Sequence, residues 1–412
     1  VDSFQTLINP EQPIPINVIG KTGISDEMVR RAPKAEQITE NVFEFIGDFP
    51  IVAHNLPFDL SFLTNLKQTH FSGKVDNEAY DTVPLAQALL FFLPNHQLGT
   101  IGEYLGIASD SAHRALADTE IVGTLFLELI REAASYPLKV VERILTVSEG
   151  RHFHNKLLFD RLGRELARSG DSENGLLESK IDKLLPSPLF THEGKGGLLD
   201  FSPEVFFGEN GLLEKTISEG YETRESQIQY CQMVRETLSD GSIGILEAGT
   251  GLGKSLAYLL AALERALGQS GEPVVISCHT KPLQDQLFQQ EIPKLAAALD
   301  VTFSATVMKG RQNYVCKTRV NQVIAIAKTL LSENEVQSMI VILIWMQWTR
   351  SGDFEECTGF LKRRPYRLRS MIQSDPGFCT LRHCKTTGGC FLGPLRIATQ
   401  NADIVVVNHS FL

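Results

Sequence analysis

The chain has 412 residues, a hydrophobic fraction of 43% and a formal net charge of -10, and no apolar run approaches the ~18 residues of a membrane span. These figures fit two or three globular domains and exclude a disordered chain, a collagenous repeat and a disulfide scaffold. As an average, the acidic balance argues against a nucleic-acid partner. The average hides a division: residues 1–135 hold 8 Lys+Arg against 18 Asp+Glu, the remainder 31 against 31, and residues 305–400 hold 14 against 6. An acidic module, a neutral module and a basic insertion are therefore expected on one chain. Val1 opens directly on an alternating segment, and the sequence stops five residues after the apolar Ala402–Val407 run. The expectation is a fragment cut at both ends.

In residues 1–135, apolar periodicity predicts a strand at Ser3–Ile8, a helix at Ala35–Ile46, a strand at Phe49–His54 and a helix at Phe58–Leu66. A short strand near Tyr80 follows, with helices over Pro84–Leu93, Leu98–Leu105 and Ala112–Ala134. The alternation is that of an α/β fold. Asp59, in His54-Asn55-Leu56-Pro57-Phe58-Asp59, sits where a strand gives way to a helix, the edge at which sites of α/β folds collect. Taken alone, it is as well explained as an acid complementing the helix dipole. His113 and Asp118 are five residues apart around the start of the last helix and can reach one point there. Tyr80-Asp81-Thr82 has the character of a helix cap.

Asn-x-x-Phe-Asp followed 54 residues later by His-x-Ala-x-x-Asp resembles the second and third motifs of the DEDDh exonucleases, an RNase H-like fold. The resemblance implies that Asp59 and Asp118 help hold two Mg²⁺ or Mn²⁺ ions, and that His113 deprotonates the attacking water in 3′–5′ cleavage. Two hard cations take oxygen ligands and stabilise both the attacking and leaving oxygens. The family's first motif, Asp-x-Glu, would precede Val1, so the expected nuclease activity of this chain alone is little or none.

Residues 136–220 combine helical stretches at Leu138–Leu145 and Phe159–Arg168 with Gly, Ser and Pro clusters, and are read as a connector without site chemistry.

Residues 221–412 carry a short apolar strand at Ile243–Glu247, then Ala248-Gly249-Thr250-Gly251-Leu252-Gly253-Lys254-Ser255, then a helix. Strand, Gly-rich turn, Lys-Ser and helix form a P-loop context for ATP. Backbone amides from Thr250 to Lys254 can surround a β-phosphate, Lys254 reaches the β/γ-phosphates, and Ser255 ligates Mg²⁺. Ala248 stands where the strict pattern has Gly. Upstream, Gln227 has the position of a Q-motif residue that reads adenine. Downstream, Val274–Ser277 predicts a strand before Cys278-His279-Thr280, whose loop resembles the nucleic-acid-contacting motif of superfamily 2 helicases.

The seven cysteines form an odd set without a secretion signal, which argues for a reducing, cytoplasmic compartment. Cys231 and Cys357 are expected to be ordinary thiols. Cys379, Cys384 and Cys390 lie within twelve residues among Arg, His, Lys and Gly, a spacing suited to thiolate ligation of zinc or an iron–sulfur cluster, with Cys316 as the fourth ligand.

The P-loop, Lys-Gly-Arg-x-Asn-Tyr-x-Cys, the cysteine cluster and Ala-Asp-Ile-Val-Val-Val-Asn-His together resemble the XPD/DinG group of iron–sulfur DNA helicases. That resemblance implies a [4Fe–4S] cluster on Cys316, Cys379, Cys384 and Cys390, movement 5′ to 3′ on single-stranded or forked DNA, and a role in DNA repair. The implied architecture is an exonuclease domain at 1–135, a connector at 136–220, and a RecA-like helicase domain 1 at 221–412 with an Fe–S insertion at about 305–400. The Asp-Glu-Ala-His motif and second RecA-like domain would lie beyond Leu412. The basic run Leu361–Arg369 is expected to grip a single strand through Arg363, Arg364 and Arg367. A monomer is expected. The competing possibility is a non-motor nuclease or nucleic-acid binding protein whose P-loop serves only as a switch.

Overall fold

The computed structural model describes residues 2–70, 73–107, 115–169, 185, 187–195, 202–217, 221–268, 272–379, 389–409 and 411. They fall into two compact units interleaved in sequence. The first comprises residues 1–184, 321–349 and 354–371; the second comprises residues 185–320, 350–353 and 372–412. The architecture is mixed α/β.

The first unit opens with α1 (Ile16–Thr22), α2 (Asp26–Val29) and α3 (Ala35–Ile46). The strand expected at Ser3–Ile8 is absent: the segment is extended coil with an isolated bridge from Asn9 to Lys34. Phe4, Leu7 and Ile8 are exposed, and an alternating pattern without a neighbouring strand forms no ladder. Next come β1 (Ile51–Ala53), α4 (Leu56–His70), β2 (Ala79–Asp81) and α5 (Thr82–Leu89). The two strands run parallel, with Ala53 opposite Asp81. Helix α5 ends four residues earlier than the apolar pattern implied, which leaves Leu90–Leu93 as a turn. Helices α6 (Leu98–Leu105), α7 (Ala115–Ala134), α8 (Leu138–Val147) and α9 (Lys156–Ser169) follow. Gly106 ends α6 in the left-handed conformation, at φ 69°.

The stretch read as a connector divides between the units. Val140, Val141, Ile144 and Val147 on α8, and Leu158, Phe159, Leu162 and Leu166 on α9, are buried in the first unit. Their i, i+3, i+4 spacing outweighs the turn residues around them. Residues from the basic insertion complete this unit. The Glu333–Trp345 helix, capped reciprocally by Ser332 and Glu335, buries Met339 through Trp345 on every face and packs against α5 and α8. Trp345, Phe354 and Phe360 stack in sequence, with centroids 5.8 and 5.4 Å apart.

The second unit is built on a four-stranded sheet in the order β3 (Leu189–His192), β5 (Phe303–Met308), β6 (Ile404–Asn408), β4 (Val274–Cys278). Strand β3 is antiparallel to β5; β5, β6 and β4 are parallel. Every residue of β6 is buried, as its continuous apolar run predicts for a central parallel strand. The boundary expected at about residue 305 falls inside β5, in which Phe303, Ala305, Thr306 and Met308 are buried. The buried Gln284 amide donates to the carbonyls of Met308 and Val406, tying the end of β5 to the middle of β6. The strand expected at Ile243–Glu247 does not form: Ile243 and Ile245 are 98% and 96% exposed. Among the described residues no strand pairs with this segment, so its backbone stays solvated.

Candidate functional site

In the first unit, the carboxylates gather at the C-terminal ends of β1 and β2. Asp81 ends β2 and caps α5: its Oδ1 accepts from the Val83 amide at 3.0 Å and from the Asn55 amide at 3.1 Å. The second bond holds the turn between β1 and α4, where Asn55 has φ 76°. Asp59 follows in the first turn of α4. The surrounding protein raises its pKa through desolvation, and the like charge of Asp81 adds to that effect. Both ring nitrogens of His54 are engaged. Nε2 donates to the His96 carbonyl at 3.0 Å, which leaves Nδ1 to accept from the Thr82 hydroxyl at 2.9 Å. Burial lowers the pKa of His54 and favours this neutral form. The cap expected at Asp81 is present; its link to the Asn55 turn was not anticipated.

Asp118 lies in the first turn of α7, and both α7 and α4 pack on β1. His113 lies outside the described residues. Among the described residues, no group of three or more His, Cys, Asp or Glu side chains is placed to hold a metal. Burial and, to a lesser degree, the charge of Asp81 disfavour the ionised form of Asp59, a penalty that a divalent cation would offset, and carboxylate oxygens suit Mg²⁺ or Mn²⁺.

In the second unit, the P-loop runs into the Lys254–Leu267 helix. Gly251 and Gly253 have φ of 81° and 82°, in the left-handed region that favours glycine. The Lys254 ammonium folds back on the loop, 2.7 Å from the Ala248 carbonyl and 3.1 Å from that of Gly249. Arg224 donates to the Gly251 carbonyl. Gln227 is buried, and its amide donates to the Gly253 carbonyl at 3.0 Å. Gln227 thus braces the loop backbone. The Ser255 hydroxyl bonds the side chain of Tyr258, whose phenol burial pushes up to about 12.

The described cysteines separate by environment. Cys231, Cys278 and Cys357 are buried thiols with pKa raised by desolvation, to about 12 for Cys231. Cys316, Cys379 and Cys390 are partly exposed, and Cys384 lies outside the described residues. The Cys316 amide bonds the Ile372 carbonyl. Lys317 lies over Phe391, next to Cys390, and Arg319 over Phe378, next to Cys379. One short helical stretch therefore touches the neighbours of both other cysteines. Soft, accessible thiols arranged in this way suit a thiolate-ligated cluster.

Of the arginines expected to grip a strand, Arg364 is exposed, while Arg363 and Arg367 hold partners within the first unit. Arg363 is engaged with Gln87, Ser338, Asn334 and Gln337, and Arg367 with Glu335 and the Leu330 carbonyl. Arg369 covers the Phe354 ring. Their charge serves packing within the first unit. In the second unit, Lys309 is buried against Asp353 at 2.7 Å and Asp285 at 3.3 Å. Burial alone would lower its pKa; the two carboxylates outweigh that and hold it raised.

Residues 1–126 match the exonuclease family, and residues 226–344 match the DEAD/DEAH box helicase family. The chain is 27% identical over 421 residues to the 3'-5' exonuclease DinG of Bacillus subtilis, covering 100% of this chain and 43% of that protein. It is 28% identical over 365 residues to the protein of that name from Staphylococcus saprophyticus, covering 86% and 38%. It is 27% identical over 423 residues to that of Staphylococcus aureus MRSA252, covering 100% and 44%. The chain thus spans less than half the length of these relatives. Among the described residues, no helix is long and apolar enough to cross a membrane. Both domains are matched in this order and the likeness runs across the whole chain, so the chain is similar to proteins of the DinG type, with an exonuclease domain followed by a DEAD/DEAH box helicase domain.

Proposed function

We propose that this chain carries the nuclease and ATP-binding parts of an ATP-dependent DNA helicase that moves 5′ to 3′ in DNA repair, acts on single-stranded or forked DNA, and has a 3′–5′ exonuclease domain. The observation that carries the helicase assignment is the P-loop: two left-handed glycines, a lysine folded onto the loop carbonyls, and a helix start beneath them. Loop amides and the helix N-terminus would take the β-phosphate. Lys254 would exchange its two carbonyl partners for phosphate oxygens, and Ser255 would exchange Tyr258 for Mg²⁺. Gln227 and Arg224 keep the loop in register, and Gln227 would also contribute to reading adenine.

In the first unit, Asp59 and Asp118 would hold Mg²⁺ or Mn²⁺, and His113 would take the proton of the attacking water. Bound cations supply charge stabilisation at the scissile phosphate; Asp81 holds the turn that presents Asp59. Cys316, Cys379, Cys384 and Cys390 would hold a [4Fe–4S] cluster. The test of the ATP site is titration with a fluorescent ATP analogue and Mg²⁺. Lys254→Ala is expected to weaken binding at least tenfold. Equal affinity of the variant and the unaltered protein would remove the site. Bound iron with absorption near 400 nm would support the cluster; colourless zinc protein from anaerobic purification would replace it with a zinc site.

A further inference from the structure

The first unit contains a seam that neither family match assigns. Residues 354–371, which follow the helicase match in sequence, lie against α5 of the exonuclease module. The Gly359 amide donates to the Phe91 carbonyl at 2.9 Å. A Cβ at position 359 would stand 2.0 Å from the Gln87 carbonyl oxygen, so the two backbones meet where only glycine fits. The Thr358 hydroxyl faces the Phe91 carbonyl at 2.7 Å and also that of Leu93. Arg363 is half-buried and reaches the Gln87 side chain at 2.7 Å. These contacts fix the C-terminal end of α5.

The other end of α5 is the nuclease-like site. Asp81 caps the helix and, through the same oxygen, holds the Asn55 amide at the turn that leads to Asp59. Asn155 pairs with both backbone groups of Asp81, at 2.9 and 2.8 Å, so the cap cannot drift independently of its strand. An eight-residue helix is about 12 Å of stiff rod. A shift at Gln87–Leu93 is therefore delivered to Asp81, and from there to Asn55 and Asp59.

We propose that Thr358, Gly359 and Arg363 are positioning residues of the nuclease-like site, acting along α5 through Asp81 on the turn that carries Asp59. The function assigned to these residues rests on the nuclease assignment above; the mechanical linkage does not. The test is hydrogen exchange on the whole chain, with Mn²⁺ binding followed by electron paramagnetic resonance. Gly359→Ala and the milder Thr358→Val are expected to speed exchange at Asn55 and Val83 at least tenfold and to weaken Mn²⁺ binding about fivefold. Thr358→Ser is expected to restore both, and exchange in the Lys254–Leu267 helix is expected not to change. Faster exchange confined to residues 354–371, with Asn55 and Val83 still protected in Thr358→Val, would overturn the proposal. An Asp59→Asn protein that binds Mn²⁺ as tightly as the unaltered one would instead sink the nuclease assignment, leaving the exchange result to decide the linkage.

Discussion

Substitution of Gly253 by Ala probes the P-loop at its tightest point. Gly253 has φ 82°, and a non-glycine residue held in the left-handed region costs roughly 1–2 kcal/mol. Its new Cβ would lie 2.3 Å from Gln227 Nε2, so the Gln227 amide must withdraw from the Gly253 carbonyl. Losing that bond costs about 1 kcal/mol. If the loop must keep its present shape to hold phosphate, the sum of about 2–3 kcal/mol corresponds to nucleotide binding weakened about 30- to 150-fold. Titration with a fluorescent nucleotide measures it. The double variant Gly253→Ala/Gln227→Ala separates the parts: it removes the clash and keeps the backbone strain. Because the bond to the loop is already lost in the Gly253→Ala single variant, any further weakening in the double variant measures what the Gln227 side chain contributes to adenine. Gly253→Ala binding within twofold of the unaltered protein would refute the geometric argument, because neither the strain nor the clash would then exist in solution.

The buried His54 and His96 both have pKa lowered by desolvation. The unfolded chain therefore binds more protons than the folded one below the ordinary histidine value, and stability of the first unit falls as pH drops through about 6.5 towards the lowered values. Thermal melts between pH 7.5 and 5.5 should show this loss, and His96→Gln should flatten it. Iodoacetamide on the native, metal-free protein is expected to label Cys316, Cys379 and Cys390 and to spare Cys231, Cys278 and Cys357, as read by peptide mass mapping; labelling of Cys357 without denaturant would contradict its burial. Phe354→Ala removes the middle ring of the Trp345–Phe354–Phe360 stack and is expected to cost about 3–5 kcal/mol in urea unfolding, followed by Trp fluorescence.

Much of the fold was legible wherever burial follows one local period. The helices at Ala35–Ile46 and Leu98–Leu105 carry their own stop signals in Gly47 and Gly106, and β6 is a continuous apolar run. The P-loop residues were legible because their conformational demands are local: glycine where φ is positive, lysine at the helix start. What sequence did not reveal depends on partners distant along the chain. Ile243 and Ile245 have strand character without a described neighbour. Arg363 looks like a phosphate-binding cation until Gln87, 276 residues away, occupies it. Asn155 gave no motif at all, since its work is to imitate a strand edge for one residue, Asp81. The apolar stripes of α8 and α9 were the signal that could have shown that this part of the connector belongs to the first unit.

The interleaving of the two units sets a timetable for synthesis. The first unit has most of its residues by Ser169, but α5 and α8 stay uncovered until the Glu333–Trp345 helix and residues through Met371 leave the ribosome. At ~5–20 residues per second, those roughly 200 further residues take on the order of 10–40 s. During that interval the nascent nuclease module presents an apolar face to the cell, while the strands of the second unit are emerging beside it. Chaperone dependence of expression should therefore fall on this module, which stays open through most of the synthesis of the second unit.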